Sequence, residues 1–341
     1  MDKCYYISEY LFGENHAGVK ARNDAERIFE GSGLKKLGLR FSSAKTIFGY
    51  YIKNIIPTVC NKLRLNKLSG DTVFFQYPVT ISRVFNKVIK KIALKNKIVF
   101  LIHDVDYLRY YTQPERKQPE IEILNCADTL ICHNEKMIER LRHDGVDKPR
   151  CISLQLFDYL VDENIALPTP HYGNEICFAG NLDKSTFVDE LANRSDTFFS
   201  LFLFGINYKK SDSDKIFYRG SYDPEELVSQ LGFSYGLVWD GPEINTCGGE
   251  FGQYTMINNP HKLSLYLAAG LPVIVWRKAA IADFVTEHNI GLAVDTLSEI
   301  DVMLESIDEK KYGKLVDNVR EIQADVLKGH YLKNAIIKII G

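Results

Sequence analysis

Residues 258–276 read NNPHKLSLYLAAGLPVIVW and carry the clearest structural signal in this 341-residue chain. Asn259 is a residue type that caps helices, and Pro260 suits a first helical turn. Gly270 favours the left-handed conformation that ends helices, and an apolar run, Val273–Trp276, follows at once. A helix that stops at glycine and leads into a short buried strand is typical of α/β proteins with a parallel sheet.

The same alternation of short apolar runs and helix-like segments extends over the whole chain. In the first half we predict strands at Cys4–Glu9, Leu37–Arg40, Thr72–Tyr77, Ile98–Ile102, Thr129–Cys132 and Ile152–Leu156, and helices at 18–31, 45–67, 80–95, 115–127 and 134–144. In the second half we predict strands at Ile176–Ala179, Phe198–Phe204, Ile216–Tyr218, Tyr235–Trp239, Val273–Trp276 and Leu292–Val294, and helices at 185–192, 223–231, 261–269, 279–288, 298–306 and, twice, over 310–340. This pattern predicts the α/β class.

Residues 161–173 are rich in proline and glycine, interrupt the alternation and indicate a linker. We therefore predict a first domain at 1–160, a second at 174–320 and a C-terminal helix at 321–341 that can cross back to the first domain. Each domain is expected to be a Rossmann-like, doubly wound sheet, with a cleft between the two. Ligands in such sheets bind at the carboxyl ends of the strands.

The net charge of −2 conceals two halves of opposite charge. Residues 1–150 carry 26 Lys and Arg against 17 Asp and Glu, a net of +9, whereas residues 151–341 carry 16 against 27, a net of −11. Residues 31–100 alone hold 14 basic residues and one acid, Asp71. The two halves are therefore expected to face different partners.

Several classes of protein are excluded or disfavoured. The longest apolar runs, Ile98–Ile102 and Pro272–Trp276, fall far short of the ~20 residues that span a bilayer, and residues 1–5 do not resemble a signal peptide. The seven cysteines include no CxxC pair, and the chain has no GxGxxG, GxxxxGK[ST], GxSxG or HExxH motif. We expect a cytoplasmic protein with no metal, no cofactor and no nucleic-acid partner.

Lys262 occupies a position that a helix disfavours. The predicted helix begins near Pro260, so this cation lies in the first turn, where the helix dipole favours an acid. The position is understandable if the first-turn amides and the ammonium together bind an anion such as a diphosphate. Asn259 and His261 flank the position and are predicted to border the same ligand. The alternative is a lysine that extends into solvent.

Glycines elsewhere in the second half predict further ligand contacts. Gly180-Asn181 follow the first strand of that half, where a glycine lets the backbone approach a ligand, and Lys184 adds positive charge nearby. The alternative is an ordinary turn. The glycine-rich stretch 246–254, with Glu250 as a candidate contact, is predicted to be a mobile binding loop. The alternative is an ordinary solvated surface loop.

His103-Asp104-Val105-Asp106 follow the strand Ile98–Ile102. A carboxylate or imidazole at this strand end can act as a general base toward a hydroxyl group. One alternative is local, with Asp104 as a helix cap and His103 as a satisfied neighbour. Another is a metal-binding Asp-x-Asp pattern of single-domain enzymes, which the tandem layout disfavours.

Residues 83–95 place apolar and basic side chains at helical spacing. Such a basic amphipathic helix can lie on anionic lipid. The alternative is a surface helix whose apolar stripe is buried against the rest of the protein.

Six segments together resemble a known group of enzymes. The chain is similar to bacterial glycosyltransferases of the two-Rossmann-domain (GT-B) architecture. Within them it resembles the β-1,6-galactofuranosyltransferase family of O-antigen and capsule assembly and the related glucosyltransferases that extend GlcNAc on serine-rich adhesins. The resemblance covers most of the chain and is carried by Ala17 to Asn23, Phe100 to Val105, Ile176 to Phe187, Tyr218 to Leu227, Gly236 to Trp239 and Asn258 to Trp276.

The resemblance implies a UDP-sugar donor bound mainly by the second domain. The UDP-binding Lys of the related enzymes falls on Lys262. Their Arg falls on Lys184, which keeps the charge but loses the bidentate hydrogen bonds of a guanidinium. Their Tyr falls on Tyr222 or, with a different gap, on Tyr218.

A Gly-bearing loop, residues 13–18, links the first strand to the first helix and is expected to border the donor or the acceptor. A Thr of this loop in the related enzymes falls on Ala17, so its hydroxyl group is missing here. The backbone amides near Ala17 and Gly18 would have to replace it.

The resemblance implies an enzyme that moves a sugar, with galactofuranose preferred, from a UDP-sugar to a glycan acceptor. Inversion, independence of metal and a lipid-linked acceptor in cell-surface polysaccharide assembly are expected, with Asp104, or else His103 or Asp106, as the base. The alternatives are a UDP-glucose-dependent glucosyltransferase that extends a glycan on a glycoprotein, and a non-catalytic sugar- or nucleotide-binding subunit. The basic first half suits peripheral contact with the anionic inner face of the cell membrane. Related enzymes often self-associate, so a homo-oligomer is expected.

Overall fold

The computed structural model describes residues 3–9, 17–39, 47–79, 82–194, 197–209 and 213–341, with the main chain alone at 17, 47–55 and 82–85. Residues 13–16 of the predicted loop, Arg40 of a predicted strand and 45–46 and 80–81 of predicted helices lie outside this part. The chain divides into two compact units. Unit 1 comprises Met1–Asn15, Arg22–Leu154 and Leu332–Gly341, and unit 2 comprises His16–Ala21 and Gln155–Tyr331.

Unit 1 contains a sheet of six parallel strands in the order β2-β1-β3-β4-β5-β6. The strands are β1 (Cys4–Glu9), β2 (Lys35–Leu39), β3 (Thr72–Tyr77), β4 (Lys97–Ile102), β5 (Thr129–Cys132) and β6 (Arg150–Ser153). The helices described between them are α1 (Ala17–Gly31), α2 (Ile47–Asn66), α3 (Ser82–Ile92), α4 (Asp106–Arg109), α5 (Lys117–Leu124) and α6 (Glu135–His143). Every residue of β3 is buried, as expected for an inner strand covered on both faces.

Unit 2 contains a second parallel sheet in the order β12-β11-β10-β7-β8-β9. The strands are β7 (Glu175–Ala179), β8 (Ser200–Phe204), β9 (Ile216–Gly220), β10 (Tyr235–Val238), β11 (Val273–Trp276) and β12 (Gly291–Val294). The helices are α7 (Phe187–Ala192), α8 (Pro224–Leu227), α9 (Gly249–Tyr254), α10 (His261–Ala268), α11 (Ala282–Glu287), α12 (Ile300–Glu305), α13 (Glu309–Lys328) and α14 (His330–Ile340), of which the last runs into unit 1. Counted from β9, this is the strand order of a doubly wound Rossmann-like sheet.

The predicted α/β class with two parallel sheets is confirmed, and each of the twelve predicted strands is present with small shifts at its ends. The prediction of a mobile loop over 246–254 is wrong in part, because Gly249–Tyr254 form helix α9. A Cβ on Gly252 would lie 2.3 Å from the carbonyl carbon of Cys247. The missing side chain therefore lets this short helix fold back closely on the preceding loop.

Part of the apolar stripe predicted for residues 83–95 belongs to the core of unit 1, while the side chains of Val84 and Phe85 lie outside the described part. Val88, Ile89 and Ile92 of α3 are 5, 0 and 0% exposed, so the alternative of a buried stripe is correct. Among the helices that the structure describes, none combines the length and the hydrophobicity of a bilayer-spanning segment.

Helix α10 ends at a glycine, as predicted. Gly270 has a φ of +80°, and the N–H of Leu271 donates to the carbonyl of Tyr266 at 2.9 Å, which is the pattern of a Schellman end. The ring of Tyr266 lies against β10, where a Cβ on Gly236 would stand 2.3 Å from ring atom Cγ. The Tyr266 hydroxyl accepts the N–H of Ala179 at the end of β7 (2.8 Å). Glycine at position 236 therefore allows α10 to lie directly on these two strands.

The substitution Gly236→Ala is expected to lower the free energy of unfolding by about 1–3 kcal/mol, because the new methyl group overlaps the Tyr266 ring. Gly313→Ala in α13 is the matched control, since a Cβ there meets nothing within 4 Å. It is expected to raise the free energy of unfolding by about 0.5–1 kcal/mol. Urea unfolding followed by circular dichroism measures both, and equal effects would contradict the constraint at Gly236.

Candidate functional site

Strands β7 and β10 are neighbours in the sheet of unit 2, although β8 and β9 separate them in the chain. The strand order reverses between them, so the helices that follow β7 and β10 lie on opposite faces of the sheet. Such a switch point leaves a crevice at the carboxyl ends of the two strands, and ligands of doubly wound sheets bind there. We call the loops after these strands, with the start of α10, the switch-point site.

Lys262 is the second residue of α10 and reaches this site. It lies one turn before Tyr266, on the same face of the helix, so the contact of Tyr266 with β10 also positions Lys262. Its Nζ donates to the carbonyl oxygen of Trp239 at 2.9 Å and to Asp240 Oδ1 at 3.1 Å. The same ammonium stands 4.7 Å from the centre of the Phe178 ring.

The ion pair between Lys262 and Asp240 is partly buried. The lysine side chain is 14% exposed and the aspartate side chain 32%. The alternative of a lysine that extends into solvent is therefore wrong. Asp240 was not predicted as a site residue, although it is the first charged residue after the apolar run that forms β10, which is the signal that singled out Asp104.

Gly180 and Asn181 lie where the sequence predicted them, after β7. Asn181 Oδ1 accepts the N–H of Asp183 (3.2 Å) and caps a 3₁₀ turn, Leu182–Lys184. Gly205 follows β8 with a φ of +136°, and a Cβ there would lie 1.8 Å from the carbonyl oxygen of Gly180. Glycine at position 205 therefore allows the turn after β8 to approach the backbone at Gly180 closely.

The loop after β7 also meets helix α9. The ammonium of Lys184 stands 4.2 Å from the centre of the Phe251 ring, a cation–π contact. Glu250, beside Phe251, is partly buried on the same helix. Phe251 was missed by the sequence prediction, because an aromatic residue in a glycine-rich stretch has no distinctive local pattern.

Tyr218 and Tyr222 lie on and just after the edge strand β9. The Tyr218 hydroxyl donates to the carbonyl of Gly205 at 2.9 Å, and its ring stacks on Tyr208 with centres 4.5 Å apart. The Tyr222 ring stands 6.1 Å from that of Phe204, at the end of β8. Both rings remain accessible, with exposures of 42% and 38%. Tyr218 is thus hydrogen-bonded to the turn at Gly205, which lies against the backbone of Gly180.

Asn259 does not cap helix α10 as predicted. The cap position belongs to Pro260, which has no polar side chain, and no side-chain hydrogen bond closes this end. Asn259 is 3% exposed, and its Nδ2 donates to the carbonyl of Gln155 at 2.6 Å. The amide is held by a remote segment of the chain, and the sequence alone does not reveal this partner.

His261 is enclosed by aromatic rings. Its ring centre stands 5.2 Å from that of Tyr159 and 6.1 Å from that of Phe157. Burial, reinforced by the nearby Lys20 ammonium, lowers the pKa of His261 to about 3, so the imidazole is neutral near pH 7. Its buried Nε2 has no hydrogen-bond partner among the described residues. The side chain is therefore part of an apolar packing cluster.

Ala17 and Gly18 open helix α1, and the first residues of this helix, up to Ala21, belong to unit 2. Lys20 is 2% exposed, and its ammonium donates to the carbonyl of Leu160 at 2.5 Å. It also pairs with Glu225 Oε1 at 3.0 Å. A lysine buried in the first turns of an amphipathic helix indicates a specific partner. The sequence prediction did not include Lys20.

In unit 1, His103, Asp104 and Asp106 follow β4. His103 Nε2 forms a hydrogen bond with Gln76 Oε1 (2.7 Å). Helix α4 has Val105 at its cap position and no capping side chain, so the alternative of Asp104 as a helix cap is wrong.

Each of the two aspartates has an arginine partner. Asp104 Oδ2 is 2.5 Å from a guanidinium nitrogen of Arg109, and Asp106 Oδ2 is 3.0 Å from one of Arg116. The carboxylates are 29% and 35% exposed, so both remain accessible. Within the described ranges, no group of three His, Cys, Asp or Glu side chains is placed to hold a metal ion.

Glu120 is a buried carboxylate beside these residues that the sequence did not reveal. Its oxygens accept the N–H groups of Asp106 (2.9 Å) and Tyr107 (2.7 Å) and the hydroxyl of Tyr77 (2.9 Å). Burial raises the pKa of Glu120, and these three bonds offset part of that rise. A cavity of about 350 Å³ lies here, lined by Tyr77, Asn86, Asp106, Glu115, Arg116, Pro119 and Glu120.

Two family models match the chain in succession. The model of the glucosyltransferase 3-like N-terminal domain matches residues 4–156, and that of the C-terminal domain matches residues 176–339. The β-1,6-galactofuranosyltransferase WbbI of Escherichia coli (strain K12) is 31% identical over an alignment of 349 positions, gaps included, that covers 98% of each chain. Glucosyltransferase 3 of Streptococcus gordonii is 27% identical over 94% of this chain and 93% of its own.

Among solved structures, sucrose-phosphate synthase from Thermosynechococcus elongatus superposes with a TM-score of 0.65. The match covers 99% of this chain and 98% of the synthase at 14% identity. A likeness at this level of identity concerns the fold alone.

Proposed function

Because the chain belongs to the glucosyltransferase 3-like family, we propose that it transfers a sugar, with galactofuranose preferred, from a UDP-sugar to a glycan acceptor. The chain is a glycosyltransferase, and its two parallel sheets are those of the GT-B fold. In this proposal unit 2 binds the donor and unit 1 binds the acceptor. The non-catalytic alternative is set aside, since the family is one of enzymes.

The observation that carries the donor proposal is the Lys262 ammonium at the switch point of unit 2. Trp239 and Asp240 hold it at the end of β10, beside a helix start whose amides have no side-chain cap. A diphosphate in this position would meet the positive end of the helix dipole and a lysine charge together. The ammonium would share its hydrogen bonds between the phosphate and Asp240, which keeps it oriented.

The same groups would assist the chemical step. Negative charge grows on the UDP leaving group as its bond to the sugar breaks, and Lys262, Lys184 and the α10 amides would stabilise it. We therefore propose a reaction that does not need a metal ion. Attack by the acceptor hydroxyl on the face opposite UDP, in one displacement, would invert the anomeric carbon.

The rest of the donor would lie along the loops of unit 2. Tyr222 and Tyr218 offer accessible rings for the uridine, and the backbone of Gly180 and Asn181 can approach the phosphates. Glu250 can accept hydrogen bonds from sugar or ribose hydroxyls.

Four further residues have smaller proposed roles. Ala17 and Gly18 would contribute main-chain amides. Asn259 and His261 would border the donor through their main chain only, because their side chains are held by Gln155 and by Phe157 and Tyr159.

Asp104 is proposed as the general base. Its carboxylate is held by Arg109 and is 29% exposed, so an acceptor hydroxyl could approach it. His103 and Asp106 are the substitutes in this role. The cavity beside Asp106 offers carboxylate, amide and guanidinium groups, which suit the hydroxyl groups of a neutral sugar.

We propose a lipid-linked acceptor in cell-surface polysaccharide assembly, with the enzyme acting in the cytoplasm and as a homo-oligomer. The 31% identity to a galactofuranosyltransferase over 98% of both chains supports the choice of sugar. The second candidate is transfer of glucose to a glycan on a glycoprotein. It is favoured by the family models and by the streptococcal relative.

Lys262→Ala is expected to raise the dissociation constant of UDP by about 10- to 100-fold, since it removes a charge-assisted contact with the diphosphate. Isothermal titration calorimetry measures the change. Lys310→Ala, at an exposed position of α13, is the control and should bind UDP as the wild type does. Unchanged affinity in Lys262→Ala would rule out this phosphate site.

Asp104→Asn is expected to lower the turnover number by about 10²- to 10⁴-fold, because the amide cannot accept the proton of the acceptor hydroxyl. UDP affinity should stay the same, since the substitution lies in unit 1. Asp106→Asn is the matched comparison, because this carboxylate also pairs with a guanidinium. Full activity in Asp104→Asn together with loss in Asp106→Asn would assign the base to Asp106.

Among UDP, UDP-glucose, UDP-galactopyranose and UDP-galactofuranose, the last is expected to raise the melting temperature most. A ligand that binds only the native state stabilises it according to its affinity. A thermal-shift series at equal ligand concentration makes the comparison. A larger shift with UDP-glucose would favour the second candidate, and no shift with any of the four would contradict a uridine donor.

A further inference from the structure

Helix α2 exposes apolar side chains on the face directed away from the core. Ile56, Val59 and Leu63 are 74, 52 and 58% exposed, and their spacing of three and four positions places them on one side of the helix. Asn61 and Leu65, on the opposite side, are 2% and 0% exposed. One side of α2 therefore packs into the core of unit 1. The exposed row of apolar side chains lies on the other side of the helix, outside that core.

A fourth apolar residue lies near the end of this row. Leu94, in the turn between α3 and β4, is 86% exposed. The neighbouring Lys95 donates from Nζ to the carbonyl of Asn66 (2.8 Å), and the Lys95 carbonyl accepts the N–H of Gly70 (2.8 Å). These bonds bring Leu94 to the C-terminal end of α2. We call Ile56, Val59, Leu63 and Leu94 the α2 surface.

Lysines lie close in the chain to residues of the α2 surface. Four of them, Lys62, Lys67, Lys91 and Lys95, are exposed, and the single acid within residues 31–100, Asp71, accepts the N–H of Ser69. The surface thus combines aliphatic side chains with exposed lysines from a strongly basic segment of the chain. Such a combination repels basic partners and attracts anionic ones.

We propose that the α2 surface docks on an anionic lipid bilayer. Its aliphatic side chains would enter the boundary between headgroups and acyl chains, while the lysine ammonium groups would contact lipid phosphates. A bilayer suits this surface better than an acidic protein does, since protein interfaces are enriched in aromatic residues and arginine and depleted of lysine. The proposal goes beyond the proposed function, because it concerns where the enzyme is held and not how UDP is bound.

Vesicle flotation tests the docking with the full chain and without any nucleotide. The protein is expected to float with vesicles of phosphatidylcholine and phosphatidylglycerol, to stay unbound with phosphatidylcholine alone, and to detach as salt rises. The double variant I56S/L63S should bind at least about tenfold more weakly, because two aliphatic anchors are lost. K62E/K67E should lose binding to the anionic vesicles in the same way.

The matched control is V302S/I337S, which removes two apolar side chains of similar exposure, 70% and 62%, outside the α2 surface. It should float as the wild type does. Unchanged melting temperatures and UDP-induced shifts in all variants would show that the fold and donor site are intact.

Equal flotation of wild type and I56S/L63S would overturn the proposal, as would equal binding to neutral and anionic vesicles. A wild type that is dimeric by light scattering, with monomeric I56S/L63S and no vesicle binding, would also overturn it and assign the surface to a second copy. Because no donor is present, failure here leaves the proposed UDP chemistry standing, and failure of UDP binding leaves the docking result standing.

Discussion

The ring of Tyr266 fills the space that a side chain on Gly236 would need, and its hydroxyl accepts the N–H of Ala179. This contact sets the height of helix α10 above β10 and β7. Lys262, one turn earlier on the same face, then reaches the carbonyl of Trp239 at 2.9 Å. A missing side chain in one strand thus determines where an ammonium group stands at the end of that strand. A methyl group at 236 would lift the helix and move the lysine with it.

Carboxylates at the ends of the central strands are arranged in ion pairs in both units. Asp240 pairs with Lys262 in unit 2, and Asp104 pairs with Arg109 in unit 1. Partly exposed pairs of this kind contribute only about 0–1 kcal/mol to stability. Their main effect is to orient side chains, so that the Lys262 ammonium is held at the proposed donor site and the Asp104 carboxylate at the proposed acceptor site. In the acidic second half of the chain, Lys262 and Lys184 are local positive charges near the proposed phosphate position.

Local sequence patterns predicted the strands and helices better than they predicted what packs against them. The twelve strands follow from apolar runs, which need no knowledge of partners. The periodicity of α3 correctly indicated a helix, but not whether its stripe faced the core or a lipid. That stripe is buried, whereas a similar row on α2 is exposed. Helix α9 was missed because its glycines disfavour a helix in isolation. The close approach of Gly252 to the backbone of Cys247 explains why glycine is required at that position.

The sequence alone predicted the helix at 261–268, its end at a glycine and the first-turn position of Lys262. These features depend on residues within a few positions of one another. The residues that contact Lys262 and Asn259 could not be predicted in this way. Asp240 lies 22 positions away, and Gln155, which holds Asn259, lies 104 positions away. Such contacts arise only when strands distant in the chain become neighbours in a sheet. Local spacing therefore indicated which residues are candidates for the chemistry, and the packing of α10 on β7 and β10 decided which residues Lys262 meets.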